Sequence, residues 1–198
     1  MDCKKVGNLI YRLRKEKEMT QLQLAEAMHI SDKTISKWER GLGCPDVSLL
    51  GELSEVLGVN IGKILLGDLR ANRTDIGKMV NIKFYVCPTC GNIVTSTGDA
   101  EVSCCGRKLV ALEARPAEEG HQLNIETVED DYYITFSHEM KKEHYINFIC
   151  YVAVDRILLI RLYPEQSGEV RFPKLYGGKL YFCCSEHGLW MQTIESGR

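Results

Sequence analysis

Apolar residues recur in this chain at spacings of three and four up to Leu66, and at spacings of two from Ile82 onward. A helix turns the same face to its neighbours every three or four residues, whereas a strand changes face at each residue. No single layer satisfies both patterns. The expected fold class is therefore multidomain α + β, helical first and strand-rich after. Gly67 to Asn81, polar and without periodicity, separates the two halves. The expected segments are residues 1–69, a linker over 70–81, a small cysteine-bearing segment over 82–114 and a β domain over 115–198.

In the first segment Val6, Leu9, Ile10 and Leu13 form one apolar face. Thr20, with Gln23 three positions later, makes a capping box for a short second helix that carries Leu22, Leu24, Ala25 and Met28. Ser31 caps a third helix, Asp32 to Arg40, with Ile35 and Trp38 turned inward and Gly41 ending it. Pro45-Asp46 opens a fourth helix, closed by Gly58, and a short fifth runs from about Asn60 to Leu66. Five short helices with a tight turn between the second and third have the layout of a helix-turn-helix unit.

The runs Thr20-Gln-Leu-Gln-Leu-Ala-Glu26 and Ser31-Asp-Lys-Thr-Ile-Ser-Lys-Trp-Glu-Arg-Gly41 resemble the phage-repressor (XRE) type of DNA-binding domain. That resemblance implies a third helix in the major groove of a double-stranded DNA operator, with Asp32, Lys33, Ser36 and Lys37 facing outward and Thr34 near the backbone. It also implies a homodimer on two half-sites, and an Arg14–Glu39 pair that serves the scaffold. Lys33 and Lys37 lie one turn apart, within reach of base edges or phosphates. Gln21, at the start of the second helix, offers a phosphate donor beside the helix N-terminal amides. The net charge of -2 gives no general pull toward nucleic acid, so DNA binding has to come from this local face.

The chain has nine cysteines, and they are unevenly placed. Cys87/Cys90, Cys104/Cys105 and Cys183/Cys184 are grouped, while Cys3, Cys44 and Cys150 stand alone and are expected to be ordinary core or surface thiols. No apolar run approaches a membrane span, and the N-terminus leads into an amphipathic segment rather than a signal core. A cytoplasmic protein is expected, and there clustered cysteines serve more often as metal ligands than as disulfides. The strand Ile82–Val86 feeds Cys87-Pro-Thr-Cys90-Gly91, a knuckle that turns two thiolates toward one metal. Cys104 and Cys105 are the partner pair. Adjacent side chains diverge along a strand, so both can bind only if the chain twists sharply, which Gly106 would ease. This stretch resembles desulforedoxin and the N-terminal domain of desulfoferrodoxin, which implies one iron on four sulfurs. Zinc fits the same tetrahedron, and either an electron relay or a structural rivet is consistent with it. The segment is too short for a large core, so the metal should supply much of its folding energy.

After Pro116 the candidate strands are 122–128, 131–137, 145–154, 156–163, 168–172, 179–183 and 189–194. They suggest an antiparallel, immunoglobulin-like β-sandwich. Four of the five histidines fall here, each beside a turn: His121, His138, His144 and His187. Cys184 and His187 flank one loop, and sulfur with imidazole suits iron or zinc better than magnesium or calcium. Loops at one rim of a sandwich can bring such groups together.

The order Glu119-x-His121, His138-Glu-Met-Lys-Lys-Glu-His144, then Cys184-x-x-His187-Gly-x-Trp190 resembles the catalytic domain of desulfoferrodoxin and neelaredoxin, the superoxide reductases. The resemblance implies mononuclear ferrous iron with four equatorial imidazoles, from His121, His138, His144 and His187, and an axial Cys184 thiolate. Superoxide would bind at the open sixth position, Glu119 would close the oxidised site, and a rubredoxin-like protein would donate electrons. Cys183 should point to the opposite face by strand alternation. One departure stands out: the family's lysine before the first histidine is Gly120 here, and His121 is followed by Gln122-Leu123 rather than Val-Pro. Loss of that charge should weaken attraction of an anion, unless Lys141 or Lys142 compensates. The leading expectation is a redox- or superoxide-responsive transcriptional regulator. The alternatives are a working superoxide reductase with an accessory DNA-binding domain, and a regulator whose metal domain is a zinc-held dimerisation module.

Overall fold

Side-chain caps mark the starts of the first three helices. Asp2 accepts from the amides of Lys4 and Lys5 at α1 (Cys3–Glu16), and Thr20 and Gln23 form the reciprocal capping box of α2 (Gln21–Ala27). Ser31 accepts from the Thr34 amide at α3 (Asp32–Glu39). The chain continues through a 3-10 turn, Val47–Leu49, into α4 (Leu50–Leu57) and α5 (Ile61–Leu66). The fourth helix thus begins later than Pro45-Asp46 suggested, because Asp46 caps the 3-10 turn through Ser48 and leaves Val47 exposed. The computed structural model describes residues 1–175 and 177–194; the last four residues expected in the β domain lie outside these.

The chain divides into two compact units, Met1–Ala71 and Asn72–Arg198. In the first, Val6, Ile10, Leu24, Ile35, Leu53 and Ile64 are wholly buried in one core, with Trp38 beside them. Gly7 lets α1 approach the end of α3, since a Cβ there would meet the Trp38 carbonyl oxygen at 2.0 Å. Arg14 is buried with Glu39, its Nε donating to Oε1 at 2.6 Å and its Nη1 to the Met19 carbonyl at 2.6 Å. A buried charge of this kind is tolerable only when paired and hydrogen-bonded, as here. Cys3 and Cys44 are not independent thiols as expected: they form a disulfide, with their Cα atoms 4.9 Å apart.

The second unit opens with β1 (Lys83–Val86) and β2 (Ile93–Ser96), antiparallel, and then the hairpin of β3 (Val102–Cys104) and β4 (Arg107–Leu109). Two larger sheets follow. One has the order β10-β7-β6, from β6 (Leu123–Val128), β7 (Asp131–Phe136) and β10 (Glu169–Pro173). The other has the order β5-β12-β11-β8-β9, from β5 (Arg115–Pro116), β8 (Ile146–Val152), β9 (Ile157–Arg161), β11 (Gly178–Cys184) and β12 (Gly188–Ile194). Ile134, Tyr151, Phe172, Leu180 and Phe182, drawn from both sheets, share one core. The antiparallel expectation fails at one edge, where β5 runs parallel to β12 and pairs Arg115 with Trp190.

The five-stranded sheet is buried on both faces. Its second face carries Phe148, Cys150, Tyr181 and Cys183, and Phe84 of β1 packs on it, with ring centroids 5.5 Å from Phe148 and 5.2 Å from Tyr181. Cys183 and Cys184 accordingly point to opposite faces, as strand alternation requires. Burial pushes the Cys150 and Cys183 thiols up to about 12, leaving both inert.

Candidate functional site

The strands β11 and β12 meet in a tight turn that carries Cys184 and His187. Cys184 is buried at the end of β11, and its sulfur lies 3.4 Å from His187 Nδ1 and accepts from the His187 amide at 3.5 Å. Ser185 ties this turn to the loop before β8. Its amide donates to the Tyr145 carbonyl at 2.9 Å, its hydroxyl donates to the Glu143 carbonyl at 3.0 Å, and the same oxygen accepts from the Tyr145 amide at 3.1 Å. His144 is thereby held beside the Cys184 turn. His121 arrives from the other sheet, just before β6. Gln192 of β12 braces that strand by accepting from the Leu123 amide at 3.0 Å and donating to its carbonyl at 2.8 Å.

The four imidazoles close into a ring. Centroid distances run 5.0 Å from His121 to His138, 4.5 Å to His144, 4.9 Å to His187 and 4.9 Å back to His121, each pair edge to face. Nε2 of His121, His138 and His144 is buried in each case and has no hydrogen-bond partner. Three orphaned ring nitrogens are costly unless something occupies the space between them. The other nitrogens of two rings face oxygen acceptors, which favours the tautomer with its proton on Nδ1. His138 Nδ1 lies 2.5 Å from the Glu139 carbonyl, and His144 Nδ1 is 3.5 Å from the Glu139 carboxylate, so both rings keep Nε2 free as an acceptor. Burial, and then the neighbouring imidazoles, lower the His121 pKa to about 4, which keeps this ring neutral and ready to ligate. The donor atoms of His121, His144, Cys184 and His187 all lie within 4.8 Å of one another, and His138 completes the ring beside them. A metal that accepts nitrogen and sulfur fits this donor set.

Other features of this site were not legible in advance. Trp190 stacks on His121 at 4.5 Å, and the Arg115 guanidinium sits 4.1 Å over the same indole while donating to the His187 carbonyl. The Arg115 contacts depend on the parallel β5 edge, which has no local signature. Glu119 is exposed and is not among the clustered donors, and Gly120, at φ +83°, has nothing within 4 Å of where a Cβ would sit. Lys141 is turned to the Glu139 carboxylate at 2.9 Å rather than left as a free charge.

The second cluster gathers Cys87, Cys90, Cys104 and Cys105, whose sulfurs lie within 4.8 Å of one another. The sharp twist expected at the adjacent pair is present, with Cys105 at φ +50° and Gly106 at φ +72°. The amides of Cys90 and Thr89 hold the Cys87 thiol down to about 6, whereas the neighbouring cysteines push Cys105 up to about 12. Four sulfurs this close form a donor set that suits a tetrahedral iron or zinc ion.

On α3, Asp32, Lys33 and Lys37 are exposed, while Thr34 and Ser36 are half-buried. Thr34 is engaged locally, its hydroxyl 2.9 Å from that of Ser31. Gln21 is also occupied, donating from Nε2 to Glu39 at 2.7 Å.

The helix-turn-helix family model HTH_3 matches residues 10–64. The desulfoferrodoxin of Syntrophotalea carbinolica is 31% identical over 118 residues, spanning 55% of this chain and 94% of that protein. The HTH-type transcriptional activator BcrR of Enterococcus faecalis is 33% identical over 101 residues, which cover 43% of this chain and half of that protein's length. Among solved structures, the superoxide reductase from Treponema pallidum aligns with a TM-score of 0.49 at 22% identity, covering 56% of this chain and 97% of its own. No helix among the described residues is long and apolar enough to cross a membrane. The chain belongs to the desulfoferrodoxin family and carries, ahead of that region, a helix-turn-helix domain of the transcription-regulator type.

Proposed function

We propose that this protein is a DNA-binding transcriptional regulator whose histidine–cysteine centre makes it responsive to superoxide. The observation that carries the reading is the closed ring of four imidazoles with three buried, partnerless Nε2 atoms beside the Cys184 sulfur. In this reading His121, His138, His144, His187 and Cys184 hold one iron, and Cys87, Cys90, Cys104 and Cys105 hold a second iron or a zinc. A ferrous ion held there would supply the single electron that, with two protons, turns superoxide into hydrogen peroxide.

The chain's own residues do the rest. Glu139 and Ser185 fix the rings and the loops that bear them, and Trp190 stacks on one face of His121. Glu119, exposed on its loop, closes the site from solvent after oxidation. Arg115 is the cation nearest Trp190 and partly offsets the charge absent at Gly120. The protein acts as a cytoplasmic homodimer, with a rubredoxin-like electron donor where turnover occurs. The two sheets around their shared core support the immunoglobulin-like reading of the β domain, as the run of helices does for the five-helix domain.

Asp32, Lys33, Ser36 and Lys37 form the DNA-facing side of α3, with Thr34 and Gln21 at the phosphate edge. Gln21 does this with the second hydrogen of its side-chain amide, the first being donated to Glu39, together with the helix N-terminal amides. Exposed Lys37 makes no packing contribution to the core, so Lys37→Ala should weaken operator binding by about tenfold or more with little change in melting temperature. Operator affinity of ferrous and oxidised protein at matched salt tests the regulatory claim; equal affinities would remove it. The complete donor set also favours a second reading, a working superoxide reductase with an accessory DNA-binding domain. Sustained turnover with excess reductant separates it from a sensor that reacts once.

A further inference from the structure

The disulfide between Cys3 and Cys44 lies in the helical unit, outside both donor clusters. Cys3 is the first residue of α1, and Cys44 stands in the loop that leaves α3. Forty-one positions separate them, and the loop they close contains α1, α2 and α3 whole.

The neighbourhood shows what the bond holds. The loop after α3 returns against the start of α1, where a Cβ on Gly41 would meet Lys4 Cγ at 2.8 Å and Cα at 3.0 Å. The Leu42 amide donates to the Lys37 carbonyl at 3.0 Å, and Gly43 lies beside the Lys37 side chain, with its Cβ position 3.0 Å from Cε. The segment fixed by the bond is therefore the one against which the exposed Lys37 chain rests. Cys3 and Cys44 are each half-buried, in contrast to the fully buried Cys150 and Cys183. Among the described residues they form the accessible cysteine pair that no donor cluster claims.

We infer that Cys3 and Cys44 are a peroxide-reactive dithiol whose oxidation sets DNA affinity. The inference rests on the proposed superoxide chemistry for its source of hydrogen peroxide. One thiolate attacks peroxide, an S–O bond forms and the O–O bond breaks, giving a sulfenic acid and hydroxide. The second thiol then displaces that oxygen as water, so the S–S bond replaces the S–O bond. Two thiols lose two electrons, and one peroxide becomes two waters. A diffusible oxidant carries the signal from one unit to the other. The disulfide form pins the loop beside Lys37 and binds DNA more tightly; the dithiol leaves that loop loose and binds less well.

The test uses the full-length, metal-loaded protein and a DNA duplex selected from a random library by the oxidised protein. Reagent hydrogen peroxide is added stoichiometrically to phosphine-reduced protein. The Cys3–Cys44 bond is followed by mass spectrometry after thiol blocking, and affinity by fluorescence anisotropy. The expected result is formation of this disulfide with about tenfold tighter binding, reversed by the phosphine and absent in Cys44→Ser. Should that variant fail to fold, Cys3→Ser and the reversal in wild type serve the same purpose. Failure of the disulfide to form overturns the inference. So does a disulfide that leaves affinity unchanged, or tightening that persists in Cys44→Ser. A parallel arm replaces peroxide with superoxide and ferrous protein. If reagent peroxide works and superoxide yields no peroxide, the iron reading fails and the dithiol switch stands.

Discussion

The four-cysteine cluster takes its donors from Cys87 to Cys105, whereas the histidine cluster takes them from His121 to His187. The first rests on two small hairpins whose own core is little more than Tyr85, Cys87 and Leu109. The second sits on the rim of two sheets that bury Ile134, Tyr151, Phe172, Leu180 and Phe182 between them. Cysteine donors close in sequence make a site that is easy to read but poorly supported without metal. Histidine donors far apart make a site that only the finished fold can assemble, and the shared core of the two sheets, rather than the metal, should carry most of that fold's stability.

The largest effect should separate the clusters outright. Stripping metal with a chelator removes binding energy on the order of 10 kcal/mol from a cysteine site of this type. Hydrogen exchange should then show loss of protection through β3 and β4, with β8, β11 and β12 still protected. Equal loss in both regions would break the comparison. Next in size is Phe84→Ala. Phe84 is 1% exposed and anchors β1 against Phe148 and Tyr181, so the change should cost about 3 to 5 kcal/mol. Calorimetry should show that loss, while iron binding at the histidine cluster survives once the protein is folded.

Legibility followed the same division. The Cys87/Cys90 knuckle and the caps at Thr20 and Ser31 are local, so spacing reveals them. The Arg14–Glu39 pair was legible through resemblance, and the structure places it at 2.6 Å. The Cys3–Cys44 bond was missed because only the packing of α1 against the loop after α3 brings those residues together. Arg115 over Trp190 was missed because a two-residue parallel edge has no pattern of its own. The histidines could be listed from the sequence, but their closure into a ring depends on Gln192 and Ser185 joining elements distant along the chain.

Smaller changes sharpen the account of the histidine site. Glu139→Ala removes the carboxylate beside His144 Nδ1 and should weaken iron binding there about tenfold, leaving the cysteine cluster untouched in a metal titration. Gly120→Lys places a charge where there is open space, at a backbone cost of about 1 to 2 kcal/mol for the positive φ. It should speed the reaction with superoxide about threefold at low salt, with the gain fading as salt rises, as electrostatic attraction does.

The most direct measurement is anaerobic rapid mixing of superoxide with iron-quantified ferrous protein, following iron oxidation and peroxide yield together. Fast oxidation with one peroxide per iron at the histidine cluster is the predicted result. Full iron occupancy at that cluster with no reaction would contradict it, and would leave the imidazole ring a structural site in a DNA-binding regulator.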